Sequence, residues 1–297
     1  MNIRKFAAID IGSNAIRLLI HNVIEQEDAP PQFRKNAITR VPVRLGEDAF
    51  TAGKIGKANI RRMIDAIKAF KLIMKVHGVE KYMACATSAM REAGNGSEIA
   101  ATIYEKTGIK IHIIDGKREA EIIAATDLHR LIEKDHSYLY VDVGGGSTEL
   151  TIFSEGETII SRSFKIGTVR LLNETFKSPL WKTMEKWIKT HTEPYDDMII
   201  IGSGGNINKL FKMAGRKPGQ PLSYIWLNAQ YQYLKSTTYE ERITTLGLNP
   251  DRADVIIPAT RIYLSAAKWS GAENILVPKI GLGDGIVKML YNTEAGN

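Results

Sequence analysis

Residues 6–20 read FAAIDIGSNAIRLLI, and residues 139–153 read LYVDVGGGSTELTIF. Each stretch is an apolar strand that runs into an acidic residue, passes a glycine-rich turn and leaves as a second apolar strand. Asp10 corresponds to Asp142, and Gly12 to Gly144. A turn of this kind aims consecutive backbone N–H groups into one concavity, and a backbone without Cβ atoms lets an anion come close. Two such devices in opposite halves of one chain predict a phosphate held between two similar domains, with the paired aspartates available to a divalent cation.

Outward from the first turn, Ala15 to Val23 reads as a returning strand and Phe33 to Val43 as a third, with Pro30-Pro31 as the turn region between them. Ile60, Met63, Ile64, Ile67 and Met74 recur at helical spacing over 54–76. Lys81 to Ala86 and Ile109 to Ile114 are short strands. A second amphipathic helix with Ala120, Ile123, Leu128 and Leu131 on one face begins near Arg118-Glu119. The order then starts again: strands at 138–143, 151–153 and 158–164, a helix opened by Ser178-Pro179, and a strand at 198–201 entering a third glycine turn, Gly202 to Gly205. Ile275 to Val277 is the last strand, and Gly281 to Gly285 precedes a closing helix. The boundary is expected near Glu133 to Ser137. This gives domains over 1–134 and 135–297, with the last helix able to pack back on the first domain.

At 297 residues the chain suits two domains of about 150 residues. No apolar run approaches the roughly 20 residues that cross a bilayer, and the N-terminal MNIRKFAAI lacks a signal peptide's apolar core, so a cytoplasmic protein with no membrane partner is expected. The lone Cys85 fits a reducing compartment and reads as a small buried hydrophobe. Net charge is +7 and uneven: residues 1–134 hold 22 Lys/Arg against 16 Asp/Glu, and residues 135–297 hold 18 against 17. The first half should attract anions. The chain has neither a zinc-finger pattern nor a basic block interleaved with aromatics, which argues against nucleic acid as the partner. The six histidines are scattered without metal spacing, and each reads as structural.

Taken in order, AIDIGSNAIRLLI, ATSAMREAGN, IIDGKREAE, VDVGGGSTEL, FKIGTVRLL, IIIGSGGNINKL and DRADVIIPA with a final IGLGDGIV resemble the exopolyphosphatase and guanosine pentaphosphate phosphatase family, Ppx/GppA, in its short two-domain form. The resemblance covers nearly the whole chain. It implies an α/β fold of two similar ribonuclease-H-like (actin-like ATPase) domains around a central cleft. It also implies magnesium-dependent removal of the terminal phosphate of inorganic polyphosphate, or alternatively of guanosine pentaphosphate, by a homodimer. A phosphate- or nucleotide-sensing protein without turnover is a further alternative, motivated by a departure at Arg118; a kinase of the same superfold fits less well.

Hydrolysis of a terminal phosphoryl group needs its negative charge cancelled, a water placed in line with the leaving oxygen, and a group to take that water's proton. For the charge, the candidates are the backbone of Gly12, Ser13 and Asn14 and of Gly144, Gly145, Gly146 and Ser147, with the two serine hydroxyls. Arg91 joins them, since in the resembled family an arginine here reaches phosphate and its planar fork suits bidentate contact. Gly204 and Gly205 are candidates to line the substrate channel. For magnesium, Asp142 comes first and Glu149 second, with Asp10 either a ligand or a support of its loop. The resemblance places the base at Glu119. There the family's Gly-x-Glu-Glu-Ala-Arg reads Gly116-Lys117-Arg118-Glu119-Ala120-Glu121, so a guanidinium replaces the neighbouring carboxylate, which favours ionised Glu119 and weakens it as a base.

Overall fold

The computed structural model describes residues 1–126, 132–133, 135–173 and 179–294. The chain separates into two compact units, Met1–Thr126 with Leu282–Asn297, and Asp127–Gly281. The sequence predicts one boundary at 134/135, and the two units change at Thr126/Asp127 and again at Gly281/Leu282.

The first unit opens with β1 (Asn2–Ile11), β2 (Ile16–Gln26) and β3 (Ala29–Val41), an antiparallel meander. The turn between β2 and β3 is Glu27-Asp28, and Pro30-Pro31 lie inside β3 instead. They are tolerated there because β3 is an edge strand and its register shifts beside them: Ile24 faces Gln32 while Gln26 faces Ala29, leaving both prolines in the irregularity. Helices α1 (Leu45–Ala52) and α2 (Lys57–His77) follow, then β4 (Lys81–Ala86), α3 (Ser88–Glu92), α4 (Gly96–Thr107), β5 (Ile111–Ile113) and α5 (Gly116–Ala124). Strands β1, β4 and β5 are parallel, and the sheet order is β3-β2-β1-β4-β5. Met63, Ile67, Phe70 and Met74 of α2 bury one stripe against Ile9, Ile11, Leu18 and Ile20. That helix stops at Gly78, whose φ of 67° lets its N–H turn back to the Lys75 carbonyl. Leu128 and Leu131, expected on α5's apolar face, lie outside the described residues.

The second unit repeats the plan. β6 (Tyr138–Val143), β7 (Thr148–Ser154) and β8 (Glu157–Phe164) form the meander, followed by α6 (Arg170–Asn173) and α7 (Pro179–Thr192). Ser178, the expected cap of α7, lies outside the described residues. β9 (Ile199–Ser203) leads to α8 (Gly205–Met213), β10 (Leu222–Ser223), α9 (Tyr224–Ser236), α10 (Tyr239–Thr244), α11 (Pro250–Ala253), α12 (Ile256–Ser270) and β11 (Asn274–Leu276). Read from its edge, β8-β7-β6-β9-β11 copies the order of the first sheet, with β6, β9 and β11 parallel and β10 added outside. No described helix is long and apolar enough to cross a membrane.

The chain then returns to the first unit as α13 (Leu282–Glu294), which packs Leu282, Ile286 and Val287 with Phe6, Ala8, Cys85 and Ile122 on the sheet face opposite α2. Gly283 and Gly285 lie within this helix and do not precede it. Their role is proximity: a Cβ on Gly285 would stand 2.1 Å from the Ile122 carbonyl oxygen, and one on Gly283 3.1 Å from Leu19. Asp284, between them, accepts from Lys35 and pairs with buried His21.

Candidate active site

In each unit the predicted residues gather at the carboxyl ends of the parallel strands, where the connections that follow them meet. This is the edge at which open α/β sheets bind ligands.

In the first unit, Gly12 to Ala15 is the tip of the β1–β2 hairpin, closed by the Gly12 N–H on the Ala15 carbonyl at 3.1 Å. The Ser13 hydroxyl lies 2.9 Å from that of Ser88 at the start of α3, and the Thr87 N–H reaches the Ile11 carbonyl at 3.1 Å. The Ile114 N–H bonds the Ala86 carbonyl at 3.0 Å, and Arg91 Nη1 donates to the Ile114 carbonyl at 2.7 Å. A continuous set of contacts therefore ties the ends of β1, β4 and β5 together. Asp115 caps α5 by accepting from the Arg118 N–H at 2.7 Å, and Glu119 sits in the helix's first turn, only 8% exposed. The Arg118 guanidinium is engaged by Glu121 at 3.0 Å and by Met289 Sδ at 3.0 Å.

Asp10 stands opposite Arg17 in the hairpin and pairs with it at 3.3 Å. Burial nonetheless pushes the Asp10 carboxyl above its ordinary range, against the pull of that guanidinium. Arg17 escaped the sequence reading, although a hairpin turning on residues 12–15 must set position 17 across from position 10. Cys85, beside Asp10 in β4, is buried, and its thiol is pushed up to about 12, chiefly by burial and then by Asp10. It is chemically inert in the folded state.

The second unit's turn, Gly144 to Ser147, closes in the same way, with the Gly144 N–H on the Ser147 carbonyl at 2.9 Å. The first glycine amide of each turn is thus spent inside the turn. Among the described residues the amides of Ser13, Gly145, Gly146 and Ser147 make no hydrogen bond, which leaves them as donors to an anion. The segment after β8 buttresses the turn: the Thr168 N–H reaches the Gly144 carbonyl, the Val169 N–H the Gly145 carbonyl and Arg170 Nε the Gly146 carbonyl, at 3.0, 2.8 and 3.1 Å. Glu149 is 3% exposed and accepts from the Ser147 and Ser163 hydroxyls at 2.7 and 2.9 Å. It therefore orients the turn's own hydroxyl. Asp142 faces Glu149 on one side and Ser203 on the other. Gly204, with φ 116°, begins α8, and a Cβ there would stand 3.0 Å from the Val143 carbonyl and 3.4 Å from Asp142 Oδ1. The Tyr263 hydroxyl donates to the Ser203 carbonyl. Burial and then Asp142 push both the Tyr140 and Tyr263 phenols upward, so each stays neutral beside that carboxylate.

Among the described residues the one cluster of three possible ligands is Glu133, Asp135 and His136, with the two carboxylates exposed and the histidine half-buried. The donor set still suits magnesium, which keeps several waters and needs only one or two carboxylates. Of the three candidate carboxylates, Glu149 holds two hydroxyls, Asp10 holds Arg17, and Asp142 lies beside Gly204 at the carboxyl end of β6.

Two sheets of this shared topology, with glycine turns and carboxylates at their carboxyl edges, define a two-domain ribonuclease-H-like protein of the actin-like ATPase fold. The sequence profile of the Ppx/GppA phosphatase family matches residues 24–293, and the chain belongs to that family. It is accordingly an enzyme of the phosphoanhydride hydrolase class. Exopolyphosphatase 2 of Mycobacterium tuberculosis is 26% identical over 98% of this chain and 99% of its own length. A bifunctional 3-dehydroquinate synthase/phosphatase of Fusobacterium nucleatum is 28% identical over 91% of this chain, which spans 44% of that longer protein. The crystal structure of an exopolyphosphatase from Cytophaga hutchinsonii superposes with a TM-score of 0.81 at 25% identity, covering 99% of this chain and 98% of that one.

Proposed function

We propose that the protein is an exopolyphosphatase, removing the terminal phosphate of inorganic polyphosphate with water activated by Glu119. The observation that carries this reading is Glu119 itself: a carboxylate almost out of solvent, in the first turn of a helix that starts where β5 ends, on the sheet edge shared by the Ser13 turn and Arg91. The water's oxygen attacks the end phosphorus, the bond to the bridging oxygen breaks, and the shortened chain leaves with that electron pair while Glu119 takes the water's proton. Arg91, the free amide of Ser13 and the Ser13 hydroxyl offset charge on the transferred group, and the second unit offers donors of the same kind to phosphate in the Gly145 and Gly146 amides and the Ser147 hydroxyl. Asn14, Gly12, Gly144 and Gly205 shape the turns that present them, and Gly204 keeps the approach to Asp142 clear of a Cβ. Asp142 would hold magnesium, which when bound neutralises phosphate oxygens. The testing experiment is phosphate release from long-chain polyphosphate, guanosine pentaphosphate and ATP, each with and without magnesium. Magnesium-dependent release, fastest from polyphosphate, is expected; tight binding of all three with no release would replace the hydrolase by a sensor, and preference for the guanosine compound would reassign the substrate.

A further inference from the structure

Helix α2 carries a row of cations that the fold does not use. Its outward positions include Lys57, Arg61, Lys68, Lys71 and Lys75, with Asp65 as the single acid among them. Lys71 donates to the Thr107 carbonyl, but among the described residues Lys57, Arg61, Lys68 and Lys75 make no ion pair. Arg61, Lys68 and Lys75 recur every seven residues, so they stand on one side at intervals of about 10.5 Å along a helix about 31 Å long.

Part of this placement works against the helix, although Lys75 in the last turn and Asp65 between Arg61 and Lys68 are favourable. Its first turn holds no acid, and Lys57 sits where the macrodipole disfavours a cation. Lys57 and Arg61, Lys68 and Lys71, and Lys71 and Lys75 are like-charge pairs at spacings of three or four, each mildly destabilising. A long polyanion lying along this face would relieve all of these repulsions together.

The direction of the row is set by the topology. Asn95 bonds both the N–H and the carbonyl of Ile55, and the Gly94 N–H reaches the Gly53 carbonyl at 2.8 Å. Both belong to the connection after β4 that also carries Arg91, so α2 begins beside the candidate catalytic edge. At its other end Lys5 Nζ holds the His77 carbonyl, at the opposite edge of the sheet. The cations therefore lead from that edge away along the first unit.

We infer that this face of α2 is a track for the distal phosphates of a long polyphosphate chain whose end is being hydrolysed. The inference rests on the polyphosphate reading above. A triple variant, Arg61→Glu with Lys68→Glu and Lys75→Glu, tests it, with the fold checked by circular dichroism. The KM for chains of a hundred or more phosphates should rise at least tenfold, while kcat/KM for tripolyphosphate, too short to reach the track, stays within twofold. An equal change for both lengths, or none for either, overturns the track. Binding of long chains measured without turnover separates the two readings. If the wild-type protein releases no phosphate from any chain, the hydrolase reading fails alone; the track then stands if the triple variant loses long-chain binding and falls if it binds equally. Tighter wild-type binding of a single-stranded oligonucleotide of equal charge also overturns it.

Discussion

Replacing Gly167 by alanine should damage the second glycine turn without touching any polar side chain. The added Cβ would stand 2.4 Å from the Gly145 carbonyl oxygen and from both N and C of Gly146. All three are main-chain atoms, so no rotamer change relieves the contact and the turn must retreat by roughly 1 Å to reach ordinary van der Waals separation. That retreat pulls against the four hydrogen bonds that Thr168, Val169 and Arg170 make to the turn's carbonyls. Overpacking of this kind costs about 1–3 kcal/mol, and each strained hydrogen bond adds about 0.5–1.5 kcal/mol. The second unit's thermal transition should fall by at least about 5 °C. If the turn's amides hold phosphate as proposed, displacing them by about 1 Å should lower turnover roughly a hundredfold. Differential scanning calorimetry and phosphate release with long-chain polyphosphate read the two effects. Wild-type melting together with wild-type turnover would refute the reasoning that the missing Cβ of Gly167 lets this segment close on the turn.

Three further outcomes follow from the same contacts. His21 and Lys35 hold the Asp284 carboxyl below its usual value of 3.8 despite burial, so its contribution is fully present above that value and lost as pH falls through the lowered one; urea unfolding of wild type and Asp284→Asn should differ at pH 7 and converge in strong acid. A gap that persists there would mean packing, not charge, explains the variant. Cys85 should ignore an aromatic disulfide reagent at pH 8 and react fully in guanidinium, and rapid native labelling would contradict its burial. Gly285→Ala should lower the first unit's melting temperature through the 2.1 Å approach to Ile122, and an unchanged melting curve would show that α13 can shift at no cost.

Much of this arrangement was legible in the residues because glycine turns, acids and alternating apolar strands are local signals. The two hairpins, the parallel strands behind them and the motif order all follow from short stretches. What escaped was set by neighbours distant in sequence. Pro30-Pro31 read as a turn because the tolerance of an edge strand's irregular register is a property of the sheet. Gly283 and Gly285 read as loop because nothing local reveals that another backbone passes within reach of their missing Cβ atoms. Helices α9 to α12 carried no clear stripe: α12 is buried around most of its circumference, and Pro258 in its first turn looks like a breaker although the N–H there has no intrahelical partner to lose. Glu149 is a magnesium candidate in the sequence, and its bond to Ser163 became visible only through the β7–β8 register, which sets the two side by side.

The most direct measurement compares Glu119→Gln with wild type, recording phosphate release and long-chain polyphosphate binding on the same preparations. Loss of at least a thousandfold in release, with affinity kept within a few-fold, is the expected result for a buried base that takes the water's proton. Release at the wild-type rate by the glutamine variant would contradict it.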